Sequence, residues 1–202
     1  MNRPCILISC RVDVHGDIGE VRDAVDRRLS EFVWSSGFTP VLTPNVEEAA
    51  TELYQRVKPR GLLLSGGNDL CSLGGDRMDR DRTEAKLVEI FERDDRPIFA
   101  ICRGLQLLFS RENVLLERVP GHVRERHFVH TLDGRRLREV NSYHNFSART
   151  LPENWEGLAR TEDGCVEWAR RGRRIQGIMW HPEREPKFSE EDIGLFRDHF
   201  TV

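Results

Sequence analysis

Cys102 closes a fully apolar run, Pro97 to Ile101, and is followed by Arg103-Gly104 and then by Leu105, Leu107 and Leu108. A cysteine at the end of a buried strand, with small residues such as Ala100 and Gly104 close by, meets the demands of a nucleophile turn, where bulky neighbours would clash. The helix that follows would set its free amides and positive dipole end beside the sulfur, which favours the nucleophilic thiolate. On its own, a lone cysteine in an apolar strand more often packs than reacts. Two further segments weigh against that reading. His181 and Glu183 stand two apart across Pro182, and residues i and i+2 of an extended segment point to one side, so the carboxylate can hold the imidazole as the orienting group of a base. In Ser65-Gly66-Gly67-Asn68-Asp69 a glycine pair lies at a strand end, where backbone N–H groups can face a ligand with no Cβ in the way. Alone, either segment reads as an ordinary loop. Their joint presence is what points to acyl transfer.

These residues need a scaffold that brings three chain segments to one edge. Short Ile/Leu/Val runs alternating with helical patterns predict a parallel sheet buried on both faces. Ile6 to Ser9 reads as its first strand and Pro40 to Leu42 as its second, with Gly61 to Ser65, Pro97 to Ile101 and Ile175 to Trp180 as later ones. The spacing of Val21, Val25, Leu29 and Phe32 predicts an amphipathic helix from Val21 to Trp34, stopped by Gly37. Further helices are expected over Glu47 to Val57, Thr83 to Phe91, from Leu105 onward, and Ser189 to Phe200, the last with an acidic first turn. From Glu112 to Val166 the pattern changes to short β-like pieces punctuated by Asp133-Gly134 and Asp163-Gly164, which predicts mostly antiparallel structure. Cys102, the glycine pair and His181 then all fall at carboxyl ends of strands, where open α/β sheets bind ligands.

The 202 residues suit a single domain, 1–202, with a substantial core. A net charge of −3 gives no argument for nucleic acid or membrane binding. The apolar stretch Cys5 to Cys10 is too short for a signal segment or a membrane span, so a cytoplasmic location is expected. The cysteines at 5, 10, 71, 102 and 165 form no C-x-x-C pair and no even framework, which supports neither a metal site nor a disulfide scaffold.

Ser65 to Asp69, Cys102 to Gln106 and His181 to Glu183 together resemble the S-G-G-x-D loop, C-x-G-x-Q turn and H-P-E end of the class I glutamine amidotransferase-like superfamily, in order and in spacing. The resemblance covers nearly the whole chain, including Arg22-Asp23 and Pro44-Asn45, and lies on the γ-glutamyl hydrolase side. It implies a flavodoxin-like three-layer α/β/α sandwich with a mainly parallel central sheet and a small antiparallel β portion. It also implies a catalytic triad of Cys102, His181 and Glu183, an oxyanion hole from the amides of Gly67 and Arg103, and no metal or organic cofactor. Positions matching the family's glutamate pocket are Gly66, Asn68, Asp69, Gln106 and the segment Ser142, Tyr143 and His144, and His127 is expected to bind substrate with them. Gly121 to His127 and Glu139 to Asn145 look like the hydrolases that release CDP-amidate from γ-glutamyl-CDP-amidate in capsule phosphoramidate synthesis. Asn145-Phe146 departs from the N-S-x-H-H-Q pattern of γ-glutamyl-GABA hydrolases, which argues against that substrate.

His122, Arg124, Arg126, His127 and His130 form a basic run that is a solvated face by default, or a site for the pyrophosphate of a nucleotide leaving group. Arg170-Arg171-Gly172-Arg173-Arg174 reads as an exposed turn. The expected partner is a small γ-glutamyl substrate, with a homodimer left open. Three other readings stay in view: a glutaminase subunit that feeds ammonia to a synthase, a hydrolase of another γ-glutamyl amine, and an inactive binding module on the same fold.

Overall fold

The computed structural model describes residues 3–201. In chain order the strands are β1 (Cys5–Ser9), β2 (Arg11–His15), β3 (Glu20–Ala24), β4 (Thr39–Thr43), β5 (Gly61–Leu64), β6 (Ile98–Ile101), β7 (Glu117–Arg118), β8 (Val123–His130), β9 (Arg136–Tyr143), β10 (Phe146–Ser147), β11 (Glu156–Arg160), β12 (Val166–Arg171) and β13 (Ile175–Ile178). The helices are α1 (Arg27–Ser35), α2 (Glu47–Val57), α3 (Met78–Arg93), α4 (Arg103–Arg111) and α5 (Glu190–Thr201). One nine-stranded sheet runs β4-β1-β5-β6-β13-β12-β11-β8-β9. Its first five strands are parallel and the rest antiparallel. The antiparallel portion therefore extends the parallel sheet through β12, and two small ribbons, β2-β3 and β7-β10, stand apart from it.

Period-2 alternation sorts the apolar strands onto two faces. Leu7, Leu62, Leu64, Ile98 and Ala100 pack with Ala50 and Tyr54 of α2, Leu87 and Phe91 of α3, and Leu105 and Leu108 of α4. Ile6, Ile8, Leu63, Phe99 and Ile101 face the other way, onto Leu29 and Phe32 of α1 and Phe196 and Phe200 of α5. Both sides of the parallel strands are covered, which is why those strands read as unbroken apolar runs.

The predicted helix from Val21 to Trp34 is shorter than expected and has a different start. Residues 20–24 instead form β3, paired antiparallel with β2, and Val21 is exposed opposite Val14. Gly19, at φ 65°, turns this hairpin. Asp26 then accepts a hydrogen bond from Arg28 N at 2.9 Å and so fixes the helix start, as an N-cap does. The Val-x-x-x-Val spacing suggested a helix across a boundary that the cap decides. The helix predicted over Thr83 to Phe91 is longer than expected, since α3 begins at Met78 with Asp79 and Asp81 in its first turn. The arginine-rich segment forms the exposed turn expected, at residues 172–174, with Arg170 paired on the surface to Glu156 and Arg171 joined to Glu92 and Glu112.

Candidate active site

Adjacent strands β5, β6 and β13 run in register, with Leu64 beside Ala100 and Ile101 beside Ile178. The segments that leave their carboxyl ends are Ser65 to Asp69, Cys102 and Met179 to Glu183, so three distant stretches of chain meet at one sheet edge. Ser65 is pinned there by its neighbour strand, its amide donating to Ser9 Oγ at 2.9 Å and its hydroxyl to Ser9 O at 2.6 Å.

Cys102 sits at φ 52°, ψ −107°, a conformation that a non-glycine residue adopts at a cost. Its amide donates to Ile178 O at 2.7 Å and its carbonyl accepts from Leu105 and Gln106, so the turn is held on both sides. Gly104 is required by packing, because a Cβ there would stand 2.5 Å from Leu64 O. Arg103 is the first residue of α4, so its amide has no acceptor within the helix. No disulfide involves any of the five cysteines. Burial pushes the thiols of Cys10 and Cys165 up to about 11, with help from Asp23 and Asp163 respectively, and burial raises Cys71 as well.

His181 and Glu183 are both buried, and Nδ1–H of His181 donates to Glu183 Oε1 at 2.6 Å. Burial would lower the His181 pKa, but Glu183 first and Cys102 second outweigh it and raise the pKa to about 9. Burial would likewise raise Glu183, and the His181 charge holds it below the usual carboxylate range instead. A Cβ placed on Gly66 would lie 2.6 Å from His181 Cε1 and 3.6 Å from Cys102 Cβ, so glycine loop, imidazole and thiol meet within a side chain's reach. His181 Nε2 is buried, with no hydrogen-bond partner other than the Cys102 thiol beside it. A narrow cleft of about 40 Å³ opens beside it, lined by Arg11, Ser65, Gly66, Gly67, His181 and Arg184 among others. A larger recess of about 710 Å³, lined by Trp155, Ile175 and His199, lies at the opposite end of β13 and shares no residue with this cleft.

Several supports were not expected from the sequence. Arg80, with no exposed surface, donates to Ser65 O at 2.9 Å, Gly66 O at 3.1 Å, Asn68 Oδ1 at 3.0 Å and to the Gly67 carbonyl. Glu84 accepts from Arg80 Nε at 3.0 Å and from Arg103, which also pairs with Asp81. Asn141 clamps the His181 peptide, accepting from its amide at 2.9 Å and donating to its carbonyl at 2.8 Å. Arg28 of α1 donates to the carbonyls of Glu183, at 2.8 Å, and Glu185, at 2.5 Å. The only sequence signal for Arg80 and Glu84 is their i,i+4 spacing, which any surface helix pair shares.

The expected pocket residues divide. Asp69 is exposed, Gly66 and Gly67 line the cleft, and the Tyr143 ring stands edge-on to His181 at 5.7 Å, with Arg184 over its face at 4.2 Å. Other expected side chains are committed elsewhere. Asn68 bonds both backbone groups of Val12, at 2.8 and 2.9 Å, and Gln106 donates to Phe146 O at 2.8 Å. Ser142 Oγ donates to His122 O at 2.7 Å, while His144 turns to the buried Glu167, 3.1 Å away. The basic run is not one cationic face either. Arg126 is paired with Glu139 and Glu185, whereas His122 and His127 turn toward Glu167. Alternation along β8 and a bulge at Arg124 send neighbouring residues to opposite sides.

The sequence pattern of the Peptidase C26 family matches residues 4–183. The chain is 32% identical over 152 residues to γ-glutamyl-CDP-amidate hydrolase of Campylobacter jejuni, covering 74% of each. It is 27% identical to protein NtpR of Enterococcus hirae, covering 78% of each. A glutamine amidotransferase from Thermotoga maritima superposes over the whole of this chain and 85% of its own, with a TM-score of 0.70 at 16% identity. The last is a likeness of fold.

Proposed function

The chain belongs to the Peptidase C26 family of class I glutamine amidotransferase-like hydrolases, and from that premise we propose that it hydrolyses a γ-glutamyl amide through Cys102, His181 and Glu183. The observation that carries this reading is the buried 2.6 Å contact from His181 to Glu183 beside a strained cysteine at the first turn of α4. In this scheme Cys102 attacks the γ-carbonyl as a thiolate while His181 carries the proton, which the raised His181 pKa favours. The oxyanion is met by the amides of Gly67 and Arg103, and one such donor is worth about 3 kcal/mol. In a trans peptide the N–H points opposite to the preceding C=O. With the Gly66 carbonyl bonded to Arg80, the Gly67 amide is turned away from Arg80 and left free for substrate. His181 then gives its proton to the leaving nitrogen, and the glutamyl thioester forms as the C–N bond breaks. Water attacks the thioester, with His181 as base, and releases glutamate and the free thiol. Glu183 holds the imidazole throughout. No metal or organic cofactor enters these steps.

The substrate we propose is γ-glutamyl-CDP-amidate, giving glutamate and CDP-amidate for capsule phosphoramidate synthesis. Support comes from the similarity to the Campylobacter jejuni hydrolase over three quarters of both chains. The test is glutamate release from γ-glutamyl-CDP-amidate and from glutamine in parallel, with Cys102→Ala as control. Rapid release from the nucleotide substrate alone, abolished in the variant, is the expected result. Release chiefly from glutamine would overturn the substrate and favour a glutaminase subunit. Release from neither, with a thiol inert to a diazo-ketone analogue of glutamine, would overturn the enzyme reading.

A further inference from the structure

Behind the segment 141–144 lies a second cluster of buried groups that the reaction above does not use. Glu167 of β12, with no exposed surface, faces three imidazoles. His144 Nε2 lies 3.1 Å and His122 Nδ1 3.8 Å from its Oε1, and His127 Nε2 lies 3.5 Å from its Oε2. The His122 ring centroid is 4.9 Å from that of His127 and 4.8 Å from that of His144. In a cluster held by hydrogen bonds alone these atoms would be satisfied, since a buried donor or acceptor left alone costs about 1–3 kcal/mol. Here His122 Nδ1 is buried without a hydrogen-bond partner, and His127 Nε2 and Glu167 Oε2, also buried, have only each other at 3.5 Å.

We propose that His122, His144 and Glu167, completed by His127, bind one divalent transition-metal ion of the zinc class. Ligand atoms of His122, His144 and Glu167 already lie within 4.8 Å of one another. A tetrahedral ion with bonds of about 2.0–2.1 Å spaces its ligand atoms about 3.4 Å apart, and the two contacts to Glu167 Oε1, 3.1 Å from His144 Nε2 and 3.8 Å from His122 Nδ1, bracket that value. The outer partner that metal-bound imidazoles require is also present, with His122 Nε2 3.4 Å from Asp163 Oδ2. Glu167 and Asp163 together balance a divalent charge.

Four protein ligands close the coordination shell, so the ion is structural rather than a source of activated water. Its place in the fold gives it work to do. His122 precedes β8, His127 lies on it, His144 follows β9 and Glu167 lies on β12. Between β8 and β12 stands only β11, which meets β8 at a single register pair, Arg160 with His130. The ion would fasten the β8-β9 hairpin to β12 across the weakest seam of the sheet, and with it Asn141, which clamps His181.

The chain, purified without a metal-binding tag from zinc-supplemented cells, is expected to carry one zinc per chain by elemental analysis. Stripped with a chelator and titrated with cobalt(II), it should develop the strong visible bands of a tetrahedral ion, saturating at one equivalent and bleached by zinc. Zinc should raise the melting temperature of the stripped protein and magnesium should not. His127→Ala, at the cluster's rim, should fold and bind cobalt at least tenfold more weakly. Cys102→Ala should bind as the wild type does. No zinc after purification together with no cobalt bands would overturn the proposal. So would bands that survive unchanged in both His127→Ala and Glu167→Gln, or that vanish in Cys102→Ala.

Discussion

At the scale of single residues, the site is defined by how little room it leaves. A methyl group on Gly66 would press on His181 Cε1 at 2.6 Å, while the loop around it is held by Arg80 and Ser9. Gly66→Ala should therefore displace the imidazole, and a shift of about 1 Å costs roughly 100-fold in rate. We expect kcat to fall by about that factor while circular dichroism stays native; an unchanged kcat would show that the loop yields. The second prediction concerns pH. The His181 pKa is raised to about 9 in the folded chain, so its contribution to stability is complete below the unfolded value of about 6.5 and disappears as pH rises through about 9. Glu183 acts in the opposite sense: its pKa is lowered, so its contribution is present above the ordinary carboxylate value and is lost on acidification. If the imidazolium is the working form, kcat/KM falls on an alkaline limb near pH 9. Glu183→Gln removes the main cause of the shift and should move that limb to lower pH; a limb that stays near 9 would assign it to another group.

At the scale of elements, the glycine loop depends on a helix that never touches the cleft. Arg80 and Glu84 lie one turn apart on α3, so a single helix face places a guanidinium under three loop carbonyls and a carboxylate between Arg80 and Arg103. Removing one partner from such a buried set costs about 3–5 kcal/mol, because the remaining charge is stranded. Glu84→Gln is expected to destabilise the chain in urea by about that amount. Arg80→Lys keeps the charge but cannot reach several carbonyls at once. If the loop stabilises the oxyanion as proposed, this variant should lower kcat more than it raises KM, and an effect confined to KM would show that the loop serves binding alone. Arg28 plays the matching part on α1, fastening residues 183–185 from the other face of the sheet.

At the scale of the whole molecule, the two helical layers close on the sheet with no slack where α5 crosses β5. A Cβ on Gly61 would stand 2.2 Å from Phe200 Cε1 and 2.9 Å from Pro97 O. Gly61→Ala should cost about 1–3 kcal/mol by overpacking. That corresponds to a fall of about 2–12 °C in Tm for a chain of this size. Gly61 is at the amino end of β5 and the cleft at its carboxyl end, so kcat at 25 °C should not change. A variant as stable as the wild type would mean that α5 can shift. Among the described residues no helix is long and apolar enough to cross a membrane.

The parallel strands and the order of the three motifs were legible in the sequence because each signal is local. Unbroken apolar runs mark strands buried on both faces, and Cys102, Gly66-Gly67 and His181-Pro182-Glu183 each stand where such a run ends. The hairpin at residues 11–24 was hidden, because five-residue strands ending at a capped helix start share its apolar spacing. Which side chains face the cleft was also hidden. Asn68, Gln106, Ser142 and His144 belong to the right motifs, yet their side chains are taken up by Val12, Phe146, His122 and Glu167. Residues 122, 127, 144 and 167 show no ligand spacing along the chain, and only the folding of β8, β9 and β12 into one sheet brings them together. Local sequence set which elements form and where they end, because strand burial, turns and caps depend on near neighbours. Tertiary packing alone decided which buried polar groups meet, because partners such as Arg80 with Gly66 and His144 with Glu167 lie 14 and 23 residues apart and find each other only once the sheet has formed.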